Sequence, residues 1–163
     1  CITGGEPTIY DDLPEFIKSI KELGYEVKLD TNGTNPDMLK TLVRAGLLDY
    51  VAMDIKNSRS KYALTAGISN PGISRIEESV SFLLESNLDY EFRTTVVKEY
   101  HDKDDMLSIA GWILDAKAYY LQGFKDSGDL IQPGLHPHDK ETMQEFLALV
   151  KPFVKHAALR GID

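Results

Sequence analysis

The sequence alternates between short apolar strands and amphipathic helices along its whole length, and this alternation constrains the fold more than any other feature. Apolar residues recur at helical spacing in five segments, which begin near Leu13, Pro36, Ile73, Met106 and Met143. Six further segments have the pattern of strands, at residues 1–3, 25–31, 50–55, 90–97, 118–122 and 157–159. Strands that alternate with helices form right-handed βαβ units, so we predict an α/β fold with a parallel sheet.

The composition favours one globular domain that spans residues 1–163. With 163 residues, of which 42% are apolar, the chain can bury one substantial core. Its 26 acidic and 18 basic residues give a net charge of -8, and because no basic stripe is present we expect no nucleic-acid partner. No apolar run approaches the roughly 20 residues that cross a bilayer, and one cysteine suits a reducing compartment, so we expect a cytoplasmic protein without membrane contact.

Polar residues follow the predicted strands, at the edge where a parallel sheet binds ligands. Six strands are too few for a closed eight-stranded barrel, which leaves an open partial barrel or a doubly wound sheet. The residues at this edge are Gly4, Gly5, Glu6 and Pro7, then residues 30–33, 54–56 and 122–124, and Arg93. Adjacent glycines let a backbone approach a ligand closely, and charges beside apolar strands are costly without partners. Both a ligand site and a mutual ion-pair network explain this pattern.

Three motifs resemble those of radical S-adenosylmethionine (SAM) enzymes. Residues 4–7, Gly-Gly-Glu-Pro, are similar to the GGEP motif of that superfamily. Residues 29–33, Leu-Asp-Thr-Asn-Gly, and 53–56, Met-Asp-Ile-Lys, resemble its glycyl-radical-enzyme activating branch, above all the activating proteins of anaerobic ribonucleoside-triphosphate reductase and pyruvate formate-lyase. The resemblance covers essentially the whole chain. It implies a partial (β/α)6 barrel of the TIM type, with the first strand and the cluster loop missing from this sequence.

The resemblance also assigns cofactor contacts to particular residues. It implies that the backbone of Gly4, Gly5 and Glu6 binds the methionyl amino group of SAM, and that Arg93 pairs with the carboxylate through its planar fork. Asp54 and Lys56 match positions at the ribose, and the segment from Gln122 to Phe124 would border the adenine. A core position for the Phe124 ring is an equal alternative to stacking on the adenine.

The segment after the second predicted strand has two implied roles. Asp30 and Asn32 belong to the cofactor-binding set of the family that the sequence resembles. Asp30 and Thr31 also match positions that hold a monovalent cation beside the cofactor in related activating enzymes. Hydrogen bonding at a strand end or a helix cap is the alternative for both residues.

The sequence departs from the family at the iron-sulfur cluster. Family members carry a Cys-x-x-x-Cys-x-x-Cys loop before GGEP, which supplies three ligands to a 4Fe-4S cluster, whereas the one cysteine here is Cys1. We interpret Cys1 as a small buried strand residue and the sequence as an N-terminally truncated radical SAM core. Because the ligand loop is absent, we expect the sequence as it stands to bind no cluster and to cleave no SAM.

The activity that the resemblance implies is the installation of a glycyl radical on a partner enzyme. The implied cofactors are SAM and the 4Fe-4S cluster, and the implied partners are a glycyl radical enzyme and an electron donor such as flavodoxin or ferredoxin. A small-molecule enzyme such as 7-carboxy-7-deazaguanine synthase shares GGEP, but there we expect Glu before Thr-Asn-Gly, so Asp30 favours the activating enzyme. A non-catalytic nucleotide-binding domain is the alternative from a different class.

Overall fold

The computed structural model of the protein describes residues 1–126, 128 and 133–162. The helices are α1 (Leu13–Glu22), α2 (Pro36–Arg44), α3 (Tyr62–Ala66), α4 (Ile73–Glu85), α5 (Lys103–Trp112) and α6 (Lys140–Val150). The strands are β1 (Lys28–Thr31), β2 (Tyr50–Asp54), β3 (Asp89–Val96), β4 (Tyr119–Gly123) and β5 (Ala157–Arg160). Of the helices that the structure describes, none is long and apolar enough to span a membrane.

The five strands form a parallel sheet in the order β1-β2-β3-β4-β5. The predicted α/β fold with parallel strands is therefore confirmed, although the first of the six predicted strands is much reduced. Residues 1–3 contribute one parallel bridge, between Ile2 and Leu29. In this bridge the Ile2 amide donates to the Lys28 carbonyl at 2.8 Å, and the Asp30 amide donates to the Ile2 carbonyl at 2.9 Å.

The first of two compact units in the chain comprises Cys1–Asp54 and Gly72–Glu91. Its strand β1 begins at Lys28, three residues later than predicted, because Val27 is already engaged with Asp49. The Val27 amide donates to the Asp49 carboxylate at 2.6 Å, and the Val27 carbonyl accepts the Asp49 amide at 2.9 Å. Because the amide and the carbonyl of Val27 are engaged in these two bonds, the register of β1 with β2 begins only at Lys28.

The second compact unit comprises Ile55–Pro71 and Phe92–Asp163. Its helix α5 begins with a capping box, in which the Asp102 carboxylate accepts the Asp105 amide at 3.0 Å and the Asp105 carboxylate accepts the Asp102 amide at 3.1 Å. Asp105 is buried and lies 2.6 Å from Lys61 Nζ, which connects α5 to the start of the short helix α3. The sequence does not predict α3, and the single domain inferred from composition stays a prediction.

Candidate functional site

Glu6 connects the first loop of the chain to the end of β1. Its Oε1 accepts hydrogen bonds from Thr8 N at 3.0 Å, Thr8 Oγ1 at 2.6 Å and Thr31 Oγ1 at 2.8 Å, and its Oε2 accepts Asn32 N at 2.5 Å. An ionised carboxylate only accepts hydrogen bonds, so it matches four converging donors. The Glu6 side chain is therefore a structural link between the GGEP segment and the Asp-Thr-Asn-Gly segment, and the predicted contact of its backbone with SAM stays a prediction.

We expect the Glu6→Gln substitution to lower the free energy of unfolding by about 2 kcal/mol, because the new amide group must face a donor. Backbone N–H groups approach both oxygens, from Thr8 on one side and from Asn32 on the other. In either orientation of the new side-chain amide, its NH2 group therefore faces a backbone N–H, and two donors cannot form a hydrogen bond with each other. Urea unfolding of the full-length protein measures the loss. The exposed Glu22→Gln variant is the control, and equal stability of the two variants would contradict the proposed link.

Gly4 and Gly5 determine the path of the loop before Glu6. Their φ angles are 93° and 54°, in the left-handed region that favours glycine. No described heavy atom lies within 4 Å of the position that a Cβ would occupy at either residue. The backbone of this glycine pair therefore borders open space, as a loop that approaches a ligand requires.

Asp30 and Thr31 project to opposite faces of β1, because successive residues of a strand alternate. The Thr31 hydroxyl takes part in the loop contact described above and accepts the Gly33 amide at 3.1 Å. The Asp30 carboxylate accepts a hydrogen bond from Thr3 Oγ1 at 3.3 Å and lies 3.5 Å from Lys28 Nζ. A cation at Asp30 would therefore compete with an ammonium group, and the cation site stays a prediction.

Asp30 and Asp54 lie on one face of the β1-β2 pair in the first unit. Asp30 is in register with Ala52, so Asp54, two residues further along β2, projects to the same face. Both carboxylates are partly exposed. Asn32 closes the following turn, since its Oδ1 accepts hydrogen bonds from Thr34 N at 3.0 Å and Thr34 Oγ1 at 2.7 Å. The first unit thus brings the two predicted aspartates to one face at the carboxyl ends of neighbouring strands.

Arg93 and Gln122 share a face of the β3-β4 pair in the second unit. Arg93 is in register with Tyr120, and Gln122 lies two residues beyond Tyr120, so all three project from one side of the sheet. This side is partly open, whereas Phe92 and Tyr119 on the other side are fully buried. Arg93 and Gln122 thus share one face of the β3-β4 pair, while their place in a ligand site stays a prediction.

Arg160 is an additional residue of this face, which the sequence reasoning missed. It is in register with Gln122 across β4 and β5, and its guanidinium carbon lies 3.3 Å from the centroid of the Tyr120 ring. Stacking on an aromatic ring orders a guanidinium, because the planar group lies against the face of the ring. The sequence signal that could have identified Arg160 is its position directly after the last predicted strand, residues 157–159, and directly before Gly161.

Lys56 and Phe124 follow β2 and β4 and complete the predicted residues of the second unit. The Lys56 carbonyl oxygen lies 2.9 Å from His101 Nε2. Phe124 is half-buried and lines a cavity of about 240 Å³ together with Gly123 and Gly161. A fully enclosed core position for the Phe124 ring is therefore excluded.

Cys1 is exposed, so the interpretation of this residue as a buried strand cysteine is wrong. The reason is that the strand pairing begins only at Ile2 and leaves Cys1 at the rim of a groove beside Phe16. Within the part of the chain that the structure describes, no group of three or more His, Cys, Asp or Glu side chains is arranged to hold a metal ion.

Known proteins resemble this chain in sequence and in fold. The model of the Radical SAM superfamily matches residues 1–112. A protein of Methanocaldococcus jannaschii, named provisionally as a glycyl-radical enzyme activating enzyme, is 32% identical over 168 residues, which cover 99% of this chain and 70% of that protein. The 7-carboxy-7-deazaguanine synthase of Thermoplasma acidophilum is 25% identical over 117 residues, which cover 72% of this chain and 54% of that protein.

A solved structure with the same fold is a domain of the pyruvate-formate lyase-activating enzyme from Bacteroides vulgatus. Its TM-score is 0.80 at 15% sequence identity, and the match covers 98% of this chain and 97% of that domain. At this identity the likeness shows the fold alone, and it agrees with the partial-barrel architecture that the motifs imply. Because the family model covers most of the chain and the Methanocaldococcus jannaschii protein matches nearly all of it, the chain belongs to the radical SAM superfamily.

Proposed function

We propose that this chain is the core of a radical SAM activating enzyme, which generates a glycyl radical on a partner of the anaerobic ribonucleotide reductase or pyruvate formate-lyase type. The observation that carries the proposal is the match, at 32% identity over 99% of the chain, to a relative named for this activity. The deazaguanine synthase matches a shorter part at lower identity. The single cysteine suits a reducing compartment and so favours a cytoplasmic enzyme.

The residues of each unit fit a role in binding SAM. In the first unit, the open backbone at Gly4 and Gly5 suits the amino group of the methionyl moiety, and Asp30, Asn32 and Asp54 lie at the same strand ends. In the second unit, Arg93 suits the carboxylate of SAM, while Lys56, Gln122 and Phe124 are the candidates for contacts with the ribose and the adenine. Bound there, SAM would supply, on receipt of one electron, the radical chemistry that removes a hydrogen atom from the partner's glycine, and the residues of this chain would hold and orient it.

The 4Fe-4S cluster that the superfamily implies does not fit the residues described here. Among them one cysteine is present, and no ligand group for a metal ion is formed. The chemistry of this chain's own residues is therefore to bind SAM, to orient it and to exclude water from it, as is usual where a cofactor carries the difficult step. An electron donor such as flavodoxin or ferredoxin and the glycyl radical enzyme are the partners that this function requires.

The decisive experiment uses the full-length protein, by which we mean this chain joined to the cluster-binding segment that family members carry before GGEP. It is reconstituted anaerobically with iron and sulfide and supplied with SAM and a one-electron reductant. We expect formation of 5′-deoxyadenosine, and an electron paramagnetic resonance signal on a glycyl radical enzyme from the same organism. Absence of 5′-deoxyadenosine would overturn the radical SAM activity. Formation of 5′-deoxyadenosine that depends on a small-molecule substrate, without a protein radical, would instead favour the deazaguanine synthase class.

A further inference from the structure

His101 is a buried histidine whose two ring nitrogens both contact the backbone. It lies between β3 and α5 with 2% of its surface exposed. Its Nδ1 lies 3.0 Å from the Val97 amide nitrogen, and its Nε2 lies 2.9 Å from the Lys56 carbonyl oxygen. The ring therefore bridges the end of β3 and the segment that follows β2, within the second unit.

The partners of the ring determine its tautomer. The Lys56 carbonyl only accepts, so the proton of the neutral ring lies on Nε2; Nδ1 then accepts the Val97 amide, and the Val97 carbonyl lies 3.2 Å from the same nitrogen. Burial lowers the pKa of His101, and the neighbouring His138 lowers it further, whereas the Lys56 and Val97 carbonyls and Asp105 oppose this shift because they favour the protonated ring. The neutral form required by this geometry is therefore the form present near pH 7.

Residues 55, 56 and 57 each form a hydrogen bond with β3 or with the loop that follows it. The Ile55 amide donates to the Arg93 carbonyl at 2.7 Å, and Asn57 Nδ2 donates to the Tyr100 carbonyl at 2.9 Å. The carbonyl of the residue between these two, Lys56, is hydrogen-bonded to the His101 ring. The backbone that carries Lys56 is thus fixed relative to the strand that carries Arg93.

We propose that His101 is a positioning residue for the SAM site, which acts by fixing the backbone of Lys56. The proposal rests on the proposed function, because it requires that the Lys56 side chain contacts SAM. The structure gives the physical reason: a rigid, buried imidazole joins two backbone segments that each present a candidate ligand contact. A change at His101 should therefore alter SAM affinity only through Lys56.

The test is a double-mutant cycle in the full-length protein, with SAM affinity measured by anaerobic calorimetry. His101→Asn removes the donor at the Nε2 position, whereas the longer His101→Gln retains one. We expect His101→Asn to weaken SAM binding about fivefold and His101→Gln to leave it within about twofold of wild type. In a Lys56→Ala background, we expect His101→Asn to have no further effect on affinity.

A second measurement separates this proposal from the proposed function. Hydrogen exchange of the backbone at residues 55–58, followed by mass spectrometry without SAM, should become faster in His101→Asn than in His101→Gln. Absence of SAM binding in the wild type would contradict the proposed function but leave this exchange difference as the test of positioning. Equal exchange in the two variants, or the same affinity loss with and without Lys56, would overturn the positioning role. If His101→Asn fails to fold, near-wild-type affinity and exchange in His101→Gln support the proposal, and altered values contradict it.

Discussion

Replacement of Arg93 by alanine in the full-length protein is expected to weaken SAM binding by a factor of about thirty or more. Arg93 lies within β3, half-buried, on the face that it shares with Tyr120 and Gln122. A guanidinium binds a carboxylate through two parallel hydrogen bonds, and loss of such a pair in a partly desolvated site costs about 2–5 kcal/mol. Anaerobic calorimetric titration of the folded variants with SAM measures this difference.

Lys98→Ala is the matched control for this prediction. Lys98 is exposed beyond the end of β3, and its backbone amide, which donates to the His136 carbonyl at 3.0 Å, is unaffected by loss of the side chain. Removal of an exposed charge of this kind usually changes free energies by about 0.5 kcal/mol or less. Equal SAM affinities of the Arg93→Ala and Lys98→Ala variants, with unchanged melting, would show that Arg93 has a structural role and that the carboxylate is bound elsewhere.

The strands and long helices could be predicted because their signals are local. Amphipathic spacing identifies α1, α2, α4, α5 and α6, and their alternation with strands implies the parallel sheet. The boundary of β1 was missed because Asp49, more than twenty residues away in the chain, binds Val27. The five-residue helix α3 was missed because it is too short to show a period and is fixed by the contact of Lys61 with Asp105.

Within each unit, the side of the strands on which the candidate residues lie follows from strand alternation, and the expectation of a shared site follows from the way strand ends of a parallel sheet meet at one edge. The roles of individual side chains depend on contacts between distant segments, which no motif records. Glu6 belongs to a recognisable motif, yet its carboxylate is used by Thr31 and Asn32 within the protein. The contact of His101 with Lys56 and the stacking of Arg160 likewise become visible only when the strands are in register.

Gly33→Ala is expected to have the largest effect on stability, a loss of about 2–5 kcal/mol in the free energy of unfolding. Gly33 has a φ of 75°, where a residue with a Cβ is strained. A Cβ at this position would also lie 2.0 Å from Met53 Cε and 2.9 Å from Met53 Sδ. Met53 is fully buried, and the Gly33 carbonyl accepts a hydrogen bond from Ser79 Oγ at 2.8 Å, so neither partner moves away without disrupting the first unit.

Gly46→Ala separates the strain of the backbone from the collision with Met53. Gly46 has a similar φ of 66°, but no described heavy atom lies within 4 Å of the position of its Cβ, so its substitution should cost only about 1–2 kcal/mol. Chemical unfolding of the full-length variants gives both values. In a Met53→Leu background, where the terminal methyl group is shorter in reach, the cost of Gly33→Ala should fall towards that of Gly46→Ala. If the cost of Gly33→Ala equals that of Gly46→Ala in both backgrounds, then the Met53 side chain moves aside without a loss of stability. The close packing of the turn after β1 against β2 would then contribute nothing to the requirement for glycine.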